Sequence, residues 1–92
     1  MNKCVISGKV LEEIKFDFIY NSKKHVSIAK CPIKLNNDSV LNVFGLDDEA
    51  DYMYRHIKAG DIIVCYGKIR RMDEKLEVEV IEIEKVKFKT SL

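Results

Sequence analysis

The chain has 92 residues, 47% of them apolar and 34% charged, with a formal net charge of +1. That length holds one small domain and excludes a second. A balance this close to neutral does not by itself require nucleic acid, and no apolar run reaches the ~20 residues of a membrane span.

Residues 3–20 read as one long, bent strand. Cys4 and Ile6 alternate with Lys3, Val5, Ser7 and Lys9, and Gly8 marks a bulge or sharp bend. After Glu12-Glu13 the alternation resumes, with Ile14, Phe16, Phe18 and Tyr20 set against Lys15 and Asp17. Asn21-Ser22-Lys23-Lys24 forms a turn. In the second strand, 25–35, Ser27, Ala29, Cys31, Ile33 and Leu35 share the core face. Val26, Ile28, Lys30, Pro32 and Lys34 share the other, and Pro32, with no N–H to donate, predicts an edge or a bulge there. Asn36-Asn37-Asp38-Ser39 is the next turn.

The third strand, 40–44, puts Leu41 and Val43 on one side and Val40, Asn42 and Phe44 on the other. A helix follows. Asp47 is placed to cap its free N–H groups, and Asp48, Glu49 and Asp51 suit the positive end of its dipole. Ala50, Met53, Tyr54 and Ile57 make one apolar stripe, and Gly60 is expected to supply the left-handed stop. The fourth strand, 61–71, turns Ile63, Cys65 and Ile69 inward and Val64, Tyr66, Lys68 and Arg70 outward, with Gly67 in its middle. Met72-Asp73-Glu74-Lys75 is a hairpin tip. The fifth strand, 76–88, alternates as Leu76, Val78, Val80, slips to Ile81 and Ile83, and slips again to Val86 and Phe88, as bulged strands do.

Three strands, a helix and two more strands are the element order of the OB-fold, an all-β, five-stranded Greek-key barrel. Its helix lies between strands 3 and 4, and residues 1–92 make a single such domain. OB-folds bind on the outward side of strands two and three, with the loops that join strands 1–2 and 4–5.

Cys4, Cys31 and Cys65 are odd in number, lack a CxxC pair and sit among apolar neighbours, which makes them reduced core thiols. No metal or cofactor is expected, since capping accounts for the acids at 47–51. His25 and His56 have no nucleophile at catalytic spacing, and no phosphate loop is present, so the chain is not expected to be an enzyme. Met1–Gly8 alternates and lacks the apolar block of a secretory signal, which points to the cytoplasm. Charge is uneven. Residues 1–46 carry seven lysines against four acids, and residues 47–92 nine bases against eleven acids.

Several pieces, in order, resemble the DNA-binding domain of bacterial single-stranded-DNA-binding proteins: Asn2–Val10, Leu41–Gly45, Tyr54–Asp61 and Val64–Arg70. The resemblance implies rings that stack on unpaired bases while lysines and arginines follow the phosphates. Phe44 falls on a stacking position of that family. Asp38 and Glu74 fall near positions where the family carries tryptophan, and this chain has none. The family's full-length members also end in an acidic, apolar tip, whereas this sequence ends at Lys87–Leu92, a pattern closer to stand-alone relatives.

The expected binding face is therefore Lys30, Lys34, Phe44, Tyr66, Lys68, Arg70 and Arg71, with Lys23 and Lys24 in the first hairpin loop. Phe16, Phe18 and Tyr20 read as barrel-closing core, with a second stacking platform as the alternative. Val5, Val26, Ile28, Val40, Ile62 and Val64 leave much apolar surface outside. This predicts a homo-oligomer, a dimer or tetramer, unless loops and the last strand cover it. The functional expectation is sequence-independent binding of single-stranded DNA, with RNA left open, in replication, recombination or DNA transfer. An OB-fold protein-interaction module is the alternative. Neither a membrane nor a small-molecule substrate is expected.

Overall fold

The computed structural model describes residues 2–20 and 23–87. The turn residues Asn21 and Ser22 and the phase slip at Phe88 lie outside them. The elements in order are β1 (Lys3–Val10), β2 (Lys15–Tyr20), β3 (His25–Lys34), β4 (Val40–Leu46), α1 (Asp48–His56), β5 (Ile62–Met72) and β6 (Lys75–Lys85). The long first strand is thus broken in two at residues 11–14, and both pieces run antiparallel to β3.

The sheet order is β1-β5-β6-β4-β3-β2, and a second contact of β1 with β3 closes the ring. That closure is short, pairing Lys9 with Lys34 and Val10 with Ile33. Gly8 allows it, because a Cβ there would run into the Lys34 carbonyl and the Ile33 side chain. Pro32 sits where β3 changes partner: β2 pairs with it as far as Lys30, and β1 takes over at Ile33. The Pro32 carbonyl accepts from Leu11 on that side, so the missing N–H faces a gap in the ladder, as an edge proline requires. β4 and β6 pair in parallel, the remaining pairs antiparallel. The result is an OB-fold barrel with β2 as an extension of its first strand.

The interior collects Val10, Ala29, Cys31, Ile33, Val43, Ile63, Cys65, Val78, Val80 and Ile83, with Ala50 and Met53 of α1, and Ile57 just past the helix, over one end. Burying the larger of these side chains contributes ~1.5–3 kcal/mol each. Ile81 is the bulged residue of β6: Tyr66 pairs with Glu82 and Gly67 with Val80, so the phase slip seen in the sequence is real. The β5–β6 turn is a two-residue loop in which Asp73 and Glu74 both have positive φ (49° and 67°), the primed geometry that suits a tight hairpin.

Two details of α1 differ from expectation. Asp47 occupies the N-cap position but makes no side-chain cap bond. Its backbone is held at φ 51° and its N–H is given to the Ser27 carbonyl of β3 at 2.9 Å, so tertiary contact sets its conformation. Gly60 has the expected left-handed φ of 92° but lies beyond the helix end, where its N–H donates to the Val10 carbonyl at 2.7 Å. It anchors the α1–β5 loop to β1. The helix itself stops at His56, with Ile57 extended and buried.

Candidate nucleic-acid interface

Cross-strand partners project from the same face of a sheet. Following the register outward from Phe44 gives a row that crosses every strand of the sheet. Lys15 of β2 pairs with Lys30, Lys30 with Phe44, Phe44 with Glu79, Glu79 with Lys68, and Lys68 with Lys3 of β1. Phe44 points out of the barrel: Val43 before it is in the core, and a Cβ on Gly45 after it would press on Met53. A second row lies alongside, running Pro32, Asn42, Glu77, Arg70.

Of the expected residues, Lys30, Phe44 and Lys68 therefore share one row, and Arg70 falls in the next. Lys34 lies farther along β3, opposite Val40. Arg71 has the opposite parity, pairs with Leu76 near the β5–β6 tip and is exposed. Lys23 and Lys24 are exposed at the far end of the β2–β3 hairpin. Tyr66 is not beside β4. Strand β6 stands between them, and Tyr66 lies between Val5 of β1 and Glu82. The sequence showed its outward direction but not that the last strand inserts between the third and fourth.

The surroundings of Phe44 also differ from expectation. The ring faces outward yet is only 5% exposed. Several of the neighbouring cations are engaged by carboxylates. Lys30 Nζ lies 3.4 Å from Glu77 Oε1, Lys34 Nζ lies 3.3 Å from Asp38 Oδ1, and Arg70 Nε donates to Glu79 Oε1 at 2.8 Å. Glu77 is 6% exposed, and its Oε1 has no hydrogen bond of good geometry, only the ion pair with Lys30. Lys68 and Arg71 make no ion pair among the described residues. Strand β6 supplies two of the three carboxylates, Glu77 and Glu79, directly beside β4, and the β3–β4 turn supplies Asp38.

Lys3 and Lys15, not among the expected residues, also fall in the Phe44 row. Their outward parity was visible, but their place in that row depends on register. Two of the three rings expected in the core are not there. Phe16 is half-buried and packs against the core, while Phe18 and Tyr20 are exposed. Of the outer apolar residues, Val5, Val40 and Val64 are exposed, whereas Val26, Ile28 and Ile62 are partly covered.

Cys31 and Cys65 are buried thiols whose pKa is pushed up to about 12, chiefly by burial, with neighbouring sulfurs adding to it. Among the described residues, no group of three or more His, Cys, Asp or Glu is arranged to hold a metal ion. No helix among the described residues is long and apolar enough to cross a membrane.

No protein-family model matches the chain, and no curated protein resembles it in sequence. Solved structures do resemble it in fold. The SSB domain of a Synechococcus protein superposes with TM-score 0.81 at 20% identity, over 90% of this chain and 93% of that one. The single-stranded DNA binding protein from Thermus aquaticus gives TM-score 0.83 at 15% identity, over 100% of this chain but 43% of that one. The second OB-fold domain of replication protein A from Methanococcus maripaludis gives TM-score 0.75 at 16% identity, over 95% and 86%. At these identities the shared property is the OB-fold.

Proposed function

We propose that this domain binds single-stranded DNA without sequence preference, on the outward face that runs through Phe44, in replication, recombination or DNA transfer. The observation that carries the reading is the row itself, in which Lys15, Lys30, Lys68 and Lys3 stand on both sides of one outward ring. The lysines neutralise phosphates, and Phe44 offers a stacking surface worth ~1–3 kcal/mol per base. Similarity of fold to proteins named for single-stranded DNA binding points the same way. Lys23, Lys24, Lys34, Arg70 and Arg71 extend the basic surface along the hairpins, and Tyr66 adds a second ring behind β6.

The carboxylates of β6 give the mechanism its form. Ion pairs as exposed as Arg70–Glu79 are worth ~0–1 kcal/mol, so a phosphate can replace Glu79 at little cost. Movement of those long side chains also uncovers Phe44. The domain is proposed to work as a homo-oligomer in the cytoplasm. Val5 is 68% exposed, Val64 stands near it on β5, and among the described residues nothing pairs with residues 3–7 of β1 on the β3 side.

A second reading has its own support. The near-complete burial of Phe44 and the carboxylates on its flank also suit an OB module that contacts proteins through its apolar strands. A titration of fluorescent oligo-dT at low and high salt separates the two. Binding at micromolar protein that weakens with salt is expected. No signal change at low salt and tens of micromolar protein overturns the DNA reading and leaves the other.

A further inference from the structure

The β2–β3 hairpin runs past the barrel, and its two faces carry different chemistry. One face has Lys15, Asp17 and Ile19 against Lys30, Ile28 and Val26. The other continues the barrel interior, with Phe16, Phe18 and Tyr20 against Ala29, Ser27 and His25. Beyond Ala29 there is no more interior to face. Phe18 is 52% exposed and Tyr20 67%.

These rings follow one another along one face in two contacting groups. The Phe16 ring centre lies 5.0 Å from that of Tyr54 on α1, and 5.5 Å from Phe18, which meets it edge to face. Tyr20 meets His25 edge to face at 4.6 Å. Tyr54 is itself 58% exposed, although it belongs to the apolar stripe of the helix. The strip therefore runs from α1 along β2 to the hairpin tip. Strand β2 is the end of the sheet, and among the described residues no strand pairs with its outer edge.

Charge decides between the occupants such a strip could take. Residues 15–34 carry five lysines against one acid (Asp17), a net +4 in a chain of net +1. Lys15, Lys30 and Lys34 stand on the opposite face, the last two paired with Glu77 and Asp38, and Lys23 and Lys24 lie at the hairpin end beside the rings. Rings on a ribbon of that charge match a polyanion that has bare aromatic faces of its own. Alternate residues of a strand stand about 7 Å apart, so Phe18 and Tyr20 each have room for a separate base.

We propose that the Tyr54–Phe16–Phe18–Tyr20 strip is a second stacking surface for single-stranded DNA, on the opposite side of the hairpin from the Phe44 row. A strand that fills the outward face turns around the outer edge of β2 and continues on these rings. The proposal rests on the single-stranded-DNA reading above, and it makes site size the quantity to measure.

The test uses oligo-dT of roughly 6 and roughly 16 nucleotides, spanning the usual range for one OB-fold. Wild type is compared with the double variant Phe18→Ala/Tyr20→Ala, whose exposed rings contribute little to the core. The variant is expected to bind the long oligonucleotide about tenfold or more weakly and the short one unchanged. Because the chain has no tryptophan, Phe18→Trp creates a single reporter. Its fluorescence is expected to be quenched by the long oligonucleotide and left unchanged by the short one. Wild-type binding with both lengths unaffected in the double variant, and no quenching, overturns the strip while leaving the Phe44 face standing. A change in oligomeric state on Phe18→Ala/Tyr20→Ala, with DNA affinity constant, assigns the strip to a second copy of the chain and also overturns the proposal. Failure of wild type to bind either oligonucleotide removes both readings together.

Discussion

Arg70 Nε donates to Glu79 Oε1 at 2.8 Å, diagonally across the β5–β6 pair, one strand away from Phe44. The contact sets a carboxylate where the proposed function needs a phosphate. If DNA displaces Glu79, removing its charge relieves a competitor. Glu79→Gln is expected to tighten oligo-dT binding about three- to tenfold at low salt, measured by fluorescence anisotropy. Unchanged or weaker binding means Arg70 does not contact the strand.

Phe44 is outward yet buried, so its removal mixes two effects. Phe→Ala at a buried site costs ~3–5 kcal/mol and leaves a cavity. Phe44→Leu keeps much of the volume and loses the aromatic face, so its stability cost is expected to stay below about 1.5 kcal/mol. Oligo-dT affinity is expected to fall about tenfold or more. Thermal melting and anisotropy on the same sample separate the two. A stable Phe44→Leu with undiminished affinity assigns the ring to packing alone.

The lysines of the row make salt the most direct probe. Each phosphate neutralised on a single strand contributes about −0.7 to the slope of log K against log salt. Four row lysines predict a slope near −3, written as about −2.8 by the same rule. Lys68→Gln is expected to make the slope shallower by about 0.7, while Lys85→Gln, whose lysine pairs with Asp61 at 3.6 Å, leaves it as it was. Equal slopes in wild type and Lys68→Gln would show that this row does not follow the phosphates.

The interior thiols carry a pH prediction. Burial raises Cys31 and Cys65 from 9.0 to about 12, so the folded state holds these protons more firmly than the unfolded chain. Their contribution is full below about pH 9 and is lost as pH rises from there towards about 12. Melting temperature is expected to decline over that window, and less so in Cys31→Ala than in wild type. Alkylation of the native protein near pH 8 is expected to spare both residues, and to reach them once the chain is denatured. Rapid native labelling of either one contradicts a closed barrel.

How far the sequence could be read follows from what a two-residue period encodes. Alternation placed Ala29, Cys31, Ile33, Val43, Ile63 and Cys65 on the inside, and all are in the core. The period names a face but not where the interior stops. Phe16, Phe18 and Tyr20 share the parity of core residues, yet only Phe16 packs against the core, because the hairpin outruns the barrel at Phe18 and Tyr20. Phe44 was legible as outward. Its burial was not, because the side chains around it come from β3 and from β6, which reaches β4 through a parallel pairing that no local pattern reveals. The same pairing puts Glu77 and Glu79 among the basic residues, so the site's charge balance could be seen only after strand order was known. The break at residues 11–14 was likewise hidden, since Glu12-Glu13 suits an exposed bend in one strand as well as a gap between two.

The place of β6 has a consequence for how the molecule comes into being. It is the last strand made, yet it fills the space between two that precede it, with a helix and a whole strand separating it from β4 in the chain. Until it arrives, β4 and β5 each present a raw margin able to recruit any extended segment nearby. The ring cannot be completed piecemeal on the ribosome, and assembly waits for contacts far apart in sequence, which places it among the slow-forming topologies. A chain cut before β6 keeps most of its apolar residues but lacks the strand that separates those margins, and is expected to accumulate as aggregate.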